Sequence, residues 1–148
     1  MKLVFRTVNS ADARDVEQFN VLMDHLSRRA DNRELLVERI AEANRNPDKY
    51  LMVAEDAETG TLCGSILAVL IGDFCGNCAP IMLVENVVTH KGYQRRGIGR
   101  QMFDHIEAWG RDHGVSYIIL CSAMHRKEAH QFYEAIDYNE VKGFKKYL

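Results

Sequence analysis

The chain has 148 residues, 47% of them hydrophobic and 27% charged, with a formal net charge of -2. That length and apolar content suit a single domain, 1–148, with a core of its own, and the near-neutral balance argues against nonspecific nucleic-acid binding, which calls for a strongly basic surface. The start, Met1-Lys2-Leu3-Val4-Phe5-Arg6, lacks the apolar core of a signal peptide, no window approaches the roughly 18 apolar residues of a membrane span, and Cys63, Cys75, Cys78 and Cys121 are too irregularly placed for a disulfide framework; the expectation is a cytoplasmic protein with reduced thiols and neither membrane nor nucleic acid as partner.

Taken in order, Leu3–Val8 is a β-prone run ending at Asn9-Ser10 and reads as a first strand. Ser10 suits the N-cap of the next helix, with Asp12 favourable in its first turn. Val16, Phe19, Leu22, Met23 and Leu26 recur at three- and four-residue spacing and make one apolar face. A second helix starts near Asp31, at capping-box spacing from Glu34, and runs through Leu35, Leu36, Ile40 and Ala43 until Pro47 stops it. The polar stretch 27–32 between them reads either as a solvated connector or as a mobile loop over a site.

Tyr50–Ala54 is a strand, Asp56–Gly60 a turn, and the return strand from Thr61 to about Ile71 is apolar on both faces at its end, which predicts a central place in the sheet. Gly72–Pro80 connects to a further strand, Ile81–Thr89. In the next helix Ile98, Met102, Phe103, Ile106 and Trp109 form the buried face and Arg100, Asp104, Glu107 and Arg111 the outer one, with His113-Gly114 as its end. Val115–Cys121 reads as a fifth strand, covered on both faces and parallel to its neighbour because a helix joins them. A last helix, roughly His125 to Ile136, buries Ala129, Phe132, Tyr133 and Ile136, and the tail Tyr138–Leu148 can supply two short strands around Lys142-Gly143.

The chemistry concentrates between the strand ending at Thr89 and the helix that follows. Gln94-Arg95-Arg96-Gly97-Ile98-Gly99-Arg100 combines unpaired N–H groups at a helix start, the positive end of the helix dipole, glycines that let an anion approach and arginines that can grip phosphate oxygens. A glycine-rich strand-to-helix turn with a solvated basic patch is the plainer alternative. The turn lacks the G-x-G-x-x-G of dinucleotide-binding folds and the G-K-(S/T) of the P-loop.

This Q/R-x-x-G-x-G/A pattern between strand and helix resembles the acyl-CoA signature of the GNAT N-acetyltransferases, whose members commonly read D-Y-Q-R-x-G-(L/I)-G-R where this chain has Gly92-Tyr93-Gln94-Arg95-Arg96-Gly97-Ile98-Gly99-Arg100. Ala129-His130-Gln131-Phe132-Tyr133-Glu134-Ala135-Ile136-Asp137-Tyr138 resembles the family's A-x-x-F-Y-E-x-x-G-F. The resemblance implies an α/β fold with a mixed, mostly antiparallel sheet of six to seven strands flanked by about four helices, and an enzyme that passes an acetyl group from acetyl-CoA to an amine by direct attack. It implies that the backbone of Val87, Val88 and Thr89 pairs with the pantetheine arm, and that Gln94, Arg95, Arg96, Gly97, Ile98, Gly99 and Arg100 hold the pyrophosphate, with Phe132 also at the cofactor. Tyr133 falls at the usual general-acid position. Glu85, in Val84-Glu85-Asn86-Val87-Val88, is similar to the I-E-D-(V/I)-V-V run of glucosamine-6-phosphate N-acetyltransferases; it is the candidate base, with a water relay or a structural Glu as alternatives.

Lys91 and Asp137 depart from the proline and glycine usual in the family. Cys121 and Arg126 stand where peptide-acetylating relatives carry a glutamate base and an asparagine, which tilts the acceptor from a protein lysine or N-terminus toward a small-molecule amine or amino sugar. A non-catalytic acetyl-CoA-binding regulatory module is the other alternative. Cys75-Gly76-Asn77-Cys78 has the spacing of half a zinc site but reads as a tight turn, since no second ligand pair accompanies it and the six histidines make none, so no metal is expected. Exposed sheet edges near the C-terminus are compatible with a homodimer, as is common among such relatives.

Overall fold

The computed structural model describes residues 1–148. Its elements are β1 (Leu3–Thr7), α1 (Ala13–Leu26), α2 (Arg33–Arg45), β2 (Lys49–Asp56), β3 (Thr61–Ile71), β4 (Ile81–Thr89), a 3-10 turn (Lys91–Tyr93), α3 (Ile98–Asp112), β5 (Ile118–Ile119) and α4 (Lys127–Ala135). The strands lie in sequence order in one five-stranded sheet, antiparallel from β1 to β4 and parallel between β4 and β5. β3 is central, as its two-sided apolar run predicts.

Two apolar layers enclose the sheet. Val16, Phe19 and Leu22 of α1 and Ile40 and Ala43 of α2 pack with Leu51, Val53, Leu62 and Val88 on one face. Ile98, Met102, Phe103 and Ile106 of α3 pack with Met52, Ala54, Ile66, Ala68, Met82 and Val84 on the other. The expected face of α3 is therefore present, with Gly110 buried at its far end and Trp109 only half-buried.

Both early helices start later than the sequence predicts. The chain first turns at Asn9, whose carbonyl accepts from Asp12 N at 3.1 Å, so Asp12 rather than Ser10 becomes the N-cap and accepts from Arg14 N at 2.9 Å. Asp31 pairs with Arg28 instead of capping, and Asn32 Oδ1 accepts from Leu35 N at 3.0 Å.

The larger differences lie at the C-terminal side. The sheet has five strands, not six to seven, because 136–148 form no strand. β5 is reduced to Ile118 and Ile119, both half-buried, and pairs with β4 only at Met82–Ile118 and Leu83–Ile119. With no strand on its outer side, β5 is covered on one flank only, and Tyr117 is half-exposed instead of enclosed. α4 leaves Phe132, Tyr133 and Ile136 half-buried. No helix is long and apolar enough to cross a membrane.

Candidate active site and cofactor cradle

The site begins with an irregularity in β4. Leu67 pairs with Glu85 and Ser65 with Val88, so β4 advances one residue more than β3 over that interval. The extra residue is accommodated at Asn86, a non-glycine with φ of 53°, its carbonyl accepting from Ser65 Oγ at 3.2 Å. Such a bulge kinks and twists the strand. It also inverts its faces: Met82 and Val84 belong to the layer under α3, whereas Val88 belongs to the layer under α1 and α2, and Val87 packs on the α3 side. Beyond Leu83 no strand covers the other edge of β4, so that edge of the segment Val87–Thr89 has no partner strand. Glu85, just before the bulge, is exposed.

From Thr89 the chain enters the 3-10 turn, which is fastened on several sides. His90 Nδ1 accepts from Gly92 N at 3.0 Å, and His25 Nδ1, at the end of α1, accepts from Lys91 N at 3.2 Å. Tyr93 reaches Asp56 Oδ2 at the end of β2, 3.3 Å away, and its ring carries the Arg96 guanidinium 5.0 Å from its centroid.

The cradle itself contains two left-handed residues, Arg95 with φ of 61° and Gly97 with φ of 74°, the latter at the N-cap of α3. Left-handed residues at a helix start gather successive N–H groups into an anion-binding concavity. None of the N–H groups from Arg95 to Arg100 meets an acceptor within the protein. Orphan donors at a helix N-terminus with no side-chain cap are what a pyrophosphate would satisfy, so the residues present fit the acyl-CoA group expected there.

Of the arginines, Arg95 is exposed and lies 3.9 Å from Glu128 at the start of α4. Arg100 turns away from the cradle and donates to Ala135 O at 3.2 Å, tying α3 to the end of α4. Phe132 lies against Gly99, where a Cβ would come within 3.1 Å of its ring. This contact seats α4 on the first turn of α3.

Tyr133 follows on the same helix, its ring packed edge-on against Phe103 at 5.8 Å. Burial pushes its phenol above the ordinary value; Arg126 pulls it back and the Glu85 carboxylate pushes it up again. Glu85 and Tyr133 therefore lie within electrostatic reach of one another, and the raised phenol stays protonated at neutral pH. Cys121, past the end of β5, is exposed and lies near Gly143 of the tail, and Arg126 is the N-cap of α4 without a capping bond. Cys75 and Cys78, both exposed, close a tight turn through Cys78 N to Cys75 O at 2.9 Å.

Sequence reasoning missed the bulge at Asn86 and the two histidine acceptors. The first had a signal, two adjacent polar residues, Glu85 and Asn86, inside an apolar strand. The second had half of one: His90 stands two residues before Gly92, a spacing at which a side chain can cap a turn, but nothing local reveals His25.

The model of the Acetyltransferase (GNAT) family matches residues 16–138. An uncharacterized N-acetyltransferase of Bacillus subtilis, YhdJ, is 28% identical over 94 residues, which are 62% of this chain and 63% of that protein, so the match spans less than two thirds of the relative's length. The crystal structure of glucosamine-6-phosphate N-acetyltransferase from Arabidopsis thaliana superposes with a TM-score of 0.83 at 18% identity, covering 99% of each chain. A Trypanosoma brucei acetyltransferase does so with a TM-score of 0.82 at 20% identity, also over 99% of each chain.

Proposed function

The chain belongs to the GNAT family of acetyltransferases, and from that premise we propose that it transfers the acetyl group of acetyl-CoA to a primary amine of a small molecule, an amino sugar being the favoured class. The observation that carries the reading is the run of unpartnered N–H groups from Arg95 to Arg100 at the start of α3.

Acetyl-CoA supplies the activated thioester. The N–H groups of Arg95–Arg100 bind its pyrophosphate, and the open edge of β4 at Val87, Val88 and Thr89 pairs with the pantetheine arm as an added strand would. A backbone N–H beside the Asn86 bulge, held in place before the reaction, stabilises the negative charge that develops on the carbonyl oxygen. The amine nitrogen bonds to the acetyl carbon while the carbon–sulfur bond breaks. Glu85, directly or through water, accepts the proton that leaves the amine, and Tyr133 gives its proton to the departing sulfur. Return of the Glu85 proton to Tyr133 through solvent resets the site for the next turnover, and no covalent enzyme intermediate is needed.

The small-molecule acceptor is favoured over a protein amine by the Val84-Glu85-Asn86-Val87-Val88 run and by Cys121 and Arg126 at positions where peptide-acetylating relatives differ. The test is acetyl-CoA-dependent release of free CoA thiol over a panel of amino sugars, aminoglycosides, polyamines and lysine peptides. Turnover with one class and its loss in Tyr133→Phe support the proposal. Tight acetyl-CoA binding with no acceptor-dependent release from any class would leave a regulatory module instead.

A further inference from the structure

Two histidines from different elements converge on the turn that leads into the cradle, and neither belongs to the chemistry described above. The His25 and His90 rings are 4.5 Å apart, centroid to centroid, in an edge-to-face arrangement. Each uses Nδ1 as an acceptor for a backbone N–H of the same turn, Lys91 N for His25 and Gly92 N for His90. An acceptor nitrogen carries no proton, so both bonds require neutral rings; protonating either replaces an acceptor with a second donor facing an N–H.

We propose that His25 and His90 are a positioning pair for the cradle, holding Lys91 and Gly92 so that acyl-CoA is bound tightly only while the rings are neutral. The inference rests on the cradle being the acyl-CoA site.

The surroundings of His90 disfavour its charged form. Burial pushes it below the ordinary imidazole value and His25 pushes it the same way. From β3, Cys63 O accepts the His90 backbone N–H at 2.7 Å, and the Cys63 thiol, pushed up to about 11 chiefly by burial, brings no charge near neutrality. From its own turn, Tyr93 stands edge-on at 5.6 Å, with Arg96 over that ring and Asp56 at its hydroxyl; Lys91 is adjacent in sequence. No carboxylate bonds to the His90 ring to favour its charged form. A lowered histidine value means that the acceptor is fully present above the ordinary imidazole range and is lost as pH falls through the native value. The consequence reaches the cradle because Arg95 and Gly97 adopt their left-handed geometry only a few residues beyond the fastened turn.

The test is calorimetric titration of acetyl-CoA into the wild-type protein, His90→Asn and His90→Ala, between about pH 5.5 and about pH 8. The Asn carbonyl can accept from an N–H two residues on, as in an Asx turn, and does not titrate. The 3′-phosphate of CoA also gains a proton near pH 6, but equally for every protein, so the difference between profiles isolates the histidine. Loss of one such bond corresponds to about a tenfold change in affinity. The wild type is expected to weaken about tenfold more than His90→Asn across the range, with His90→Ala weak throughout. An amide titration of the unliganded wild type by NMR, which needs no variant, should show Gly92 shifting together with the His90 ring. Superimposable pH profiles for wild type and His90→Asn, or a Gly92 amide indifferent to pH, overturn the pair while leaving the cradle standing. Absence of acetyl-CoA binding to the wild type at the upper pH overturns the cradle and the pair together.

Discussion

Phe132 of α4 touches the first turn of α3 at Gly99, so closely that a Cβ on Gly99 would lie 3.1 Å from the ring's Cζ. Gly99→Ala must push the ring, and α4 with it, by a few tenths of an ångström. Overpacking of this kind destabilises by about 1 kcal/mol, measured by denaturant unfolding. Because Tyr133 follows Phe132, the same variant is expected to lower kcat more than it weakens acetyl-CoA binding.

Gly97 depends on backbone conformation and not on space, since no atom lies within 4 Å of a Cβ built there, while its φ is 74°. An alanine held in that left-handed geometry costs about 1–2 kcal/mol. Gly97→Ala should therefore raise the dissociation constant for acetyl-CoA about tenfold in a binding titration, and Gly97→Asn, which tolerates the conformation better, distinctly less.

Tyr133→Phe removes the proposed acid and keeps the packing against Phe103. We expect kcat to fall by about 10²-fold with KM for acetyl-CoA nearly unchanged. The sign of the phenol shift fixes the pH profile: an acid whose value is raised stays protonated to higher pH, so the alkaline loss of activity due to Tyr133 should begin at higher pH than for an ordinary tyrosine.

Glu85→Gln should lower kcat/KM by about 10²-fold near neutrality, with the deficit shrinking as pH rises and the acceptor amine arrives already neutral. A pH-independent deficit would count against a role in proton removal.

The buried Asp15 carboxylate accepts from Arg6 through two nitrogens, at 2.7 and 2.8 Å, and from Asn9 N at 2.6 Å. Burial would push its value up, but the Arg6 and Asn9 bonds outweigh burial and hold it below the ordinary carboxylate range. A lowered carboxylate contributes stability that is present above its unfolded value, about pH 4, and is lost as pH falls through the native one. Asp15→Asn should cost about 2–3 kcal/mol at neutral pH, and the gap from wild type should narrow under acid, as chemical denaturation at each pH would register.

What the sequence made legible was local. The face of α1 through Val16, Phe19 and Leu22 and that of α3 through Ile98, Met102, Phe103 and Ile106 follow from spacing alone, because a helix repeats on the scale of a few residues. The strand-to-helix turn at Gly97 was legible because glycine and a helix start fall together within one turn. The extent of β5 was not: a strand's length is set by its neighbours, and apolar Val115–Cys121 cannot reveal that only Ile118 and Ile119 find partners. The caps moved for a similar reason, Asp31 being drawn to Arg28 while the cap passed to Asn32. His25 and Lys91, distant in the chain, could meet only after α1 had packed over β4.

The bulge at Asn86 has a consequence for how this chain can vary. Because side chains alternate with a period of two, the extra residue sets which of Val87 and Val88 faces which helical layer. A substitution at Asn86 alters one side chain, and deletion of Asn86 would return β4 to uninterrupted alternation with Val87 and Val88 on their present faces, whereas a single-residue insertion would carry Val88 to the layer of Met82 and Val84. The strand therefore behaves like a reading frame with one spare position, and an added residue between Glu85 and Val88 should damage the fold far more than an exchange there or the loss of the spare one.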